Sequence, residues 1–225
     1  MGRRWGSIAI CFLCFFLSGC DLIAPTQSEA REEHLLIDPG HGGADGGTQA
    51  QDGTLEKNIN LAVATDLRDM MVVCGFAVKM TRESDRSIHD LSDTSIRSKK
   101  VSDMRNRLAL YQQADAVISL HQNHFSAAKY NGSQVFYSAN HEDSVRLARH
   151  IQHTIVAQIQ PQNTREIKAA TDGIYLLYHT TRPAVLVECG FLSNPTEREL
   201  LNQPAYRQKL AFAITGGYWN YILEE

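Results

Sequence analysis

The stretch LLIDPGHGGADGG, residues 35–47, joins a short apolar run to a loop in which glycines surround one histidine, His41. Leu35, Leu36 and Ile37 have the continuous apolar character of a strand covered on both faces. Glycine permits positive φ and lets backbone approach another group closely. The pattern predicts a buried strand whose end presents His41 to something rather than packing it away.

Outward from this stretch, apolar runs and helical periods alternate. Residues 55–73 carry Ile59, Ala62, Val63, Leu67, Met70 and Met71 at helical spacing, with Gly75 as the cap. A second strand is expected over 76–81. From Arg82 to Lys99 the chain is polar, rich in Ser and Asp, and reads as a surface loop. A helix over 101–113 and a third strand over 116–120 follow, the strand running into His121-Gln122-Asn123-His124. Residues 133–138 alternate like an edge strand, and 142–159 form a long amphipathic helix before Pro161. A buried strand over 184–187 delivers Glu188, and a closing helix spans 204–222 with Pro204 in its first turn. This order predicts an α/β fold: a mostly parallel, twisted sheet flanked by helices on both faces, in one domain over 34–225. Ligands of such sheets sit beyond the carboxyl ends of the strands. His41, His121 and Glu188 each follow an expected strand.

Composition agrees with a globular body. The chain has 225 residues, 43% hydrophobic and 21% charged, with a net charge of −3. That balance gives no basic face for a nucleic-acid partner. The first twenty residues differ: Arg3 and Arg4 precede the apolar residues 8–17, as in a secretory signal. The run is short for a membrane span. It ends in Leu17-Ser18-Gly19-Cys20, which resembles the bacterial lipobox, with Cys20 as the lipidated mature N-terminus; an uncleaved anchor is the alternative. Residues 21–33 read as a polar tether. Either arrangement places the body outside the cytoplasmic membrane. Beyond the signal only Cys74 and Cys189 remain, too few for a four-cysteine zinc site. Both sit in apolar surroundings and are expected as unpaired core residues, although an extracytoplasmic location permits a disulfide.

The strand ends suggest metal chemistry. Catalytic zinc takes about three nitrogen or oxygen ligands and keeps a position for water. His41 and His121 come from two strand ends. Glu56, at the start of the first helix, supplies a carboxylate where the helix dipole favours one. Each alone also reads as an ordinary hydrogen-bonded loop or first-turn residue. Glu188 has a separate role, since a carboxylate beside activated water can take its proton and pass it to a leaving nitrogen. Such a set predicts amide hydrolysis. His124 is not expected to be a ligand. Asp38 organises the loop, hydrogen-bonds a ligand or is a turn residue, and Asn123 is a candidate substrate or supporting contact.

Four blocks carry a resemblance: IDPGHGGADGG at 37–47, LEKNINL at 55–61, SLHQN at 119–123 and PAVLVECGFLSNPTE at 183–197. Together and in this order they resemble the zinc-dependent N-acetylmuramoyl-L-alanine amidases of the amidase-3 family. The resemblance implies one Zn²⁺ held by His41, Glu56 and His121, with Glu188 as the catalytic glutamate. The implied substrate is peptidoglycan, cut between N-acetylmuramic acid and L-alanine of the stem peptide. The compact body most resembles the germination-specific, sporulation-associated branch, which acts with muramic lactam synthesis in spore cortex. Some members carry a long helical insert over the site. The segment between His121 and Glu188 leaves little room for one, so an open site or a separate activator protein is expected. Readings left standing are a non-catalytic peptidoglycan-binding lipoprotein and a zinc carboxypeptidase acting on another amide.

Overall fold

Leu35–Pro39 forms strand β1, every residue of it buried. The structure is a computed structural model that describes residues 34–224. The signal or anchor expected at 1–20 and the tether at 21–33 lie outside the described residues. After β1 come α1 (Glu56–Val73), β2 (Val78–Met80), α2 (Ile96–Tyr111), β3 (Ala116–Asn123), β4 (Gln134–Tyr137) and α3 (Asp143–Gln158). Then follow β5 (Lys168–Ala169), α4 (Tyr175–His179), β6 (Ala184–Phe191), α5 (Pro195–Asn202) and α6 (Pro204–Leu223).

The strands form one sheet in the order β2-β1-β3-β6-β4-β5. Strands β2, β1, β3 and β6 run parallel, and β4 is antiparallel to β6. The expected α/β class is therefore observed. Side chains alternate across the sheet with period two. Leu35, Ile37, Ile118, Leu120, Val185 and Val187 face the core shared with α1, α3 and α6. Leu36, Val117, Ala184 and Leu186 belong to a second cluster, with Leu176 and Leu177 of α4 and Tyr111 of α2. On this second face the alternation continues into Asp38 on β1, Ser119 and His121 on β3, and Glu188 on β6. Apolar residues thus anchor each strand in the core while the next positions on the same face are polar.

Several expectations are corrected. His121 and Glu188 lie within strands rather than after them, paired directly in register. Polar residues were expected to end the strands, but His121 and Glu188 pair with each other and Glu188 also pairs with Gln134 of antiparallel β4, which keeps the ladder running. The 133–138 strand is not an edge, because the two-residue β5 pairs outside it. Helix α2 begins five residues earlier than expected, capped by Ser95, whose hydroxyl accepts from Ser98 N at 3.0 Å. Its inner face is polar, burying Ser102, Asp103 and Arg107, so no apolar stripe marks its start. Arg82, placed in a surface loop by composition, is 1% exposed. Cys74 is exposed at the end of α1, whereas Cys189 is buried, and both are free thiols. Burial pushes the Cys189 thiol up to about 12.

Candidate active site

The glycine loop is shaped by what stands beside it. Gly40 N donates to Leu120 O at 3.0 Å, keeping the chain on β3 one residue past β1. A Cβ at Gly40 would overlap the His121 imidazole. His41 itself adopts φ +64°, and Gly42 and Gly43 follow at +134° and +60°. This turn folds the loop back, with Gly42 N donating to Asp45 O at 2.9 Å. The Asp45 carboxylate holds Nδ1 of His41 at 3.0 Å and leaves Nε2 facing inward. Across the loop, a Cβ on Gly47 would come within 2.6 Å of Glu56 Oε2 and 2.7 Å of His41 Cδ2.

Glu56 opens α1 and is 3% exposed. Its carboxylate is fixed from both sides, by Thr48 N donating to Oε2 at 2.9 Å and Gln122 N to Oε1 at 3.1 Å. Oε1 lies 3.3 Å from His41 Nε2 and 3.0 Å from His121 Nδ1. The two imidazoles meet edge to face, centroids 5.0 Å apart. One ligand atom from each of His41, Glu56 and His121 falls within 4.8 Å of the others. Two imidazole nitrogens and a held carboxylate oxygen are a donor set that fits zinc. Burial would raise the Glu56 pKa, but hydrogen bonds from the two histidines outweigh it and keep the group below the usual carboxylate range. Burial works against the His41 cation, yet its bonds to Asp45 and Glu56 lift it to about 9 with protein groups alone around it.

Glu188 stands opposite His121 in the β3–β6 register. Its Oε2 is shut from solvent and has no protein hydrogen-bond partner. Burial, opposed by the two histidines, pushes its carboxyl up to about 7. Here is a buried carboxyl kept apart from the three converging groups, with one oxygen that no protein group occupies. His41, His121 and Glu188 line one cleft of about 490 Å³, which also takes in Asp45, Lys100 and an apolar wall from Ile174 to Leu177.

Asp38 is not a turn residue. It is fully buried in β1, where Thr81 Oγ1 and Tyr111 OH each donate to it at 2.6 Å, with Ser119 Oγ at 3.1 Å and an ion pair to Arg107. Burial would raise Asp38, but Arg107 and these donors bring it down to about 2. Sequence reading missed Arg82, Arg107, Asn60 and Gln122 as supports of the site. Gln122, not Asn123, reaches the Glu56 side, with Nε2 donating to Asn60 Oδ1 at 3.1 Å. The strand alternation was the signal that would have found it, since Gln122 must point opposite to His121. His124 is exposed beyond the strand and takes no part.

Comparison with known proteins places the chain among amidases. The family described as N-acetylmuramoyl-L-alanine amidase matches residues 35–218. The germination-specific N-acetylmuramoyl-L-alanine amidase of Bacillus subtilis is 34% identical over 223 residues, 98% of this chain and 93% of the relative. The CwlD amidase of Clostridioides difficile, solved in complex with the GerS lipoprotein, superposes with a TM-score of 0.82 at 37% identity, covering 86% of this chain and all of that one. A second N-acetylmuramoyl-L-alanine amidase from Clostridium difficile gives a TM-score of 0.75 at 27% identity over 87% of this chain. With its sequence blocks, its fold and its matched length in agreement, the chain belongs to the N-acetylmuramoyl-L-alanine amidase family.

Proposed function

We propose that this protein cleaves the amide between N-acetylmuramic acid and the L-alanine of the stem peptide, with His41, Glu56 and His121 holding one zinc ion and Glu188 moving the proton. The carrying observation is the convergence of two imidazoles and one carboxylate within 4.8 Å, beside a separate buried carboxyl that has an unpartnered oxygen. When bound, zinc supplies Lewis acidity that polarises a carbonyl and lowers the pKa of water. The Glu188 carboxylate accepts the proton of the attacking water and returns it to the departing nitrogen. A pKa lifted toward neutrality by burial suits a group that must do both. Asp45 orients His41, and the Thr48 and Gln122 amides fix Glu56, so the residues are in place before substrate arrives. The apolar wall along α4 offers the released peptide a surface away from water.

The likeness to the germination-specific relative supports spore cortex as the wall material. The likeness to an amidase solved with a lipoprotein supports a separate protein partner. The lipobox-like end of the signal supports lipid attachment at Cys20 and work on the outer side of the cytoplasmic membrane. The test is product analysis of purified peptidoglycan treated with the zinc-loaded protein. Stem peptides with free N-terminal alanine support the proposal. Release of single terminal amino acids would indicate a carboxypeptidase, and binding without release would indicate a non-catalytic wall protein.

A further inference from the structure

We infer that Arg82 is a positioning residue for the metal centre, setting the spacing between the loop that carries His41 and the helix that carries Glu56. The inference rests on the reading of those residues as metal ligands. Arg82 is 1% exposed, two residues past the end of β2. Its Nε donates to Pro39 O at 3.0 Å, and its Nη2 donates to Gly40 O at 3.0 Å and to Lys57 O at 2.9 Å. Nη1 reaches Ser84 O at 3.1 Å. Gly40 precedes His41 and Lys57 follows Glu56, so a single planar fork ties together the neighbours of two ligands.

Arg107 approaches the same loop separately. Its Nη1 donates to Pro39 O at 3.1 Å and its Nη2 to His41 O at 2.8 Å. Three consecutive carbonyls, of residues 39, 40 and 41, therefore end on guanidinium groups. The loop needs such a hold, because His41 occupies the left-handed region that residues with a side chain avoid. The two arginines differ in one respect. Arg107 is ion-paired with Asp38 and Asp103. The four hydrogen bonds of Arg82 all go to main-chain carbonyls. Burial and the charge of Arg107 work against the Arg82 cation, and the nearby charges of Asp38, Asp85 and Asp103 offset them only in part, so the placement is a poor device for stability. Its planar, rigid array of donors is what a lysine or a neutral side chain cannot reproduce. Geometry, not net stability, is the role that this placement serves.

The test uses the full chain and its Arg82→Lys variant, with Leu67→Ala as a control that weakens the core far from the loop. Zinc affinity is measured by competition with a chromophoric chelator, alongside far-ultraviolet circular dichroism and kcat at saturating zinc. Expected is a folded Arg82→Lys protein whose zinc affinity falls about 10- to 100-fold, the range seen when a group supporting a metal ligand is lost. Its kcat stays reduced after zinc saturation, while Leu67→Ala binds zinc as the wild type does. Wild-type zinc affinity in Arg82→Lys, at whatever melting temperature, would overturn the inference. If Arg82→Lys does not fold, Arg82→Gln is measured instead; failure of both to fold would make Arg82 a folding requirement and also overturn it. A wild-type protein that binds no zinc would instead sink the metal-centre reading itself.

Discussion

Replacing Asp38 by Asn keeps the shape of the side chain and removes the anion at the foot of the His41 loop. Asp38 is fully buried and accepts from Thr81, Tyr111 and Ser119 besides pairing with Arg107. In Asp38→Asn an amide N–H must face at least one of these donors, and Arg107 keeps only Asp103. Removing one partner of a buried ion pair costs about 3–5 kcal/mol. For a body of this size each kcal/mol moves Tm by about 2–4 °C, so Tm should fall by about 6–20 °C. Linkage gives an independent figure. The Asp38 pKa is lowered from 3.8 to about 2, a difference equivalent to about 2 kcal/mol. A depressed folded pKa means that this stability is present above pH 3.8 and is lost as pH falls through 2. The Tm gap between wild type and Asp38→Asn should therefore be widest at neutral pH and narrow between pH 4 and 2. Thermal unfolding followed by circular dichroism at several pH values reads both effects. A gap under about 2 °C at pH 7, or one that does not narrow in acid, would show that Asp38 is not the anion that balances Arg107.

Further outcomes follow from the same geometry. Gly40→Ala should lose most zinc binding by equilibrium dialysis, because the new methyl overlaps the His121 ring; unchanged zinc content would refute the close approach. Saturating the site at a hundredfold excess over its Kd should add about 2.7 kcal/mol, or about 5–11 °C in Tm, and a chelator should reverse it. His41 is lifted to about 9 by Asp45 and Glu56, so at pH 7.5 it carries a proton that zinc must displace. Calorimetry in buffers of different ionisation heat should find protons released on zinc binding at pH 7.5, and fewer, by up to about one per zinc, above pH 9; heats that ignore the buffer at pH 7.5 would contradict the assigned charge state.

The parts of this protein legible in the sequence share one property: a local pattern with a single physical meaning. Leu35-Leu36-Ile37 and Ala184-Val185-Leu186-Val187 could only be covered strands, and glycines beside His41 pointed to close backbone approach. The three converging groups and Glu188 were reachable because strand ends in an α/β sheet share an edge. What escaped was polar structure that is buried. Helix α2 turns Ser102, Asp103 and Arg107 inward, which hydropathy reads as surface. Arg82 looked like the first residue of a solvated loop, and only the three-dimensional path of residues 39–41 supplies the carbonyls that hold it inside. Short pieces such as β5 and α4 carry too few residues to show a period. Asn194-Pro195 before α5 is a capping signal, with Asn194 Oδ1 accepting from Thr196 N at 3.0 Å, but it marks a helix of only eight residues.

In the proposed reaction Glu188 moves the proton in hydrolysis of the muramoyl–alanine amide, at a zinc site it does not help to build. The most direct measurement compares wild type with Glu188→Gln on purified peptidoglycan, reading products by mass spectrometry and zinc content on the same samples. Expected are stem peptides beginning with alanine from the wild type, a loss of about 10²- to 10⁴-fold in the variant, and equal zinc in both. Comparable release by both proteins, or loss of zinc together with activity in Glu188→Gln, would contradict it.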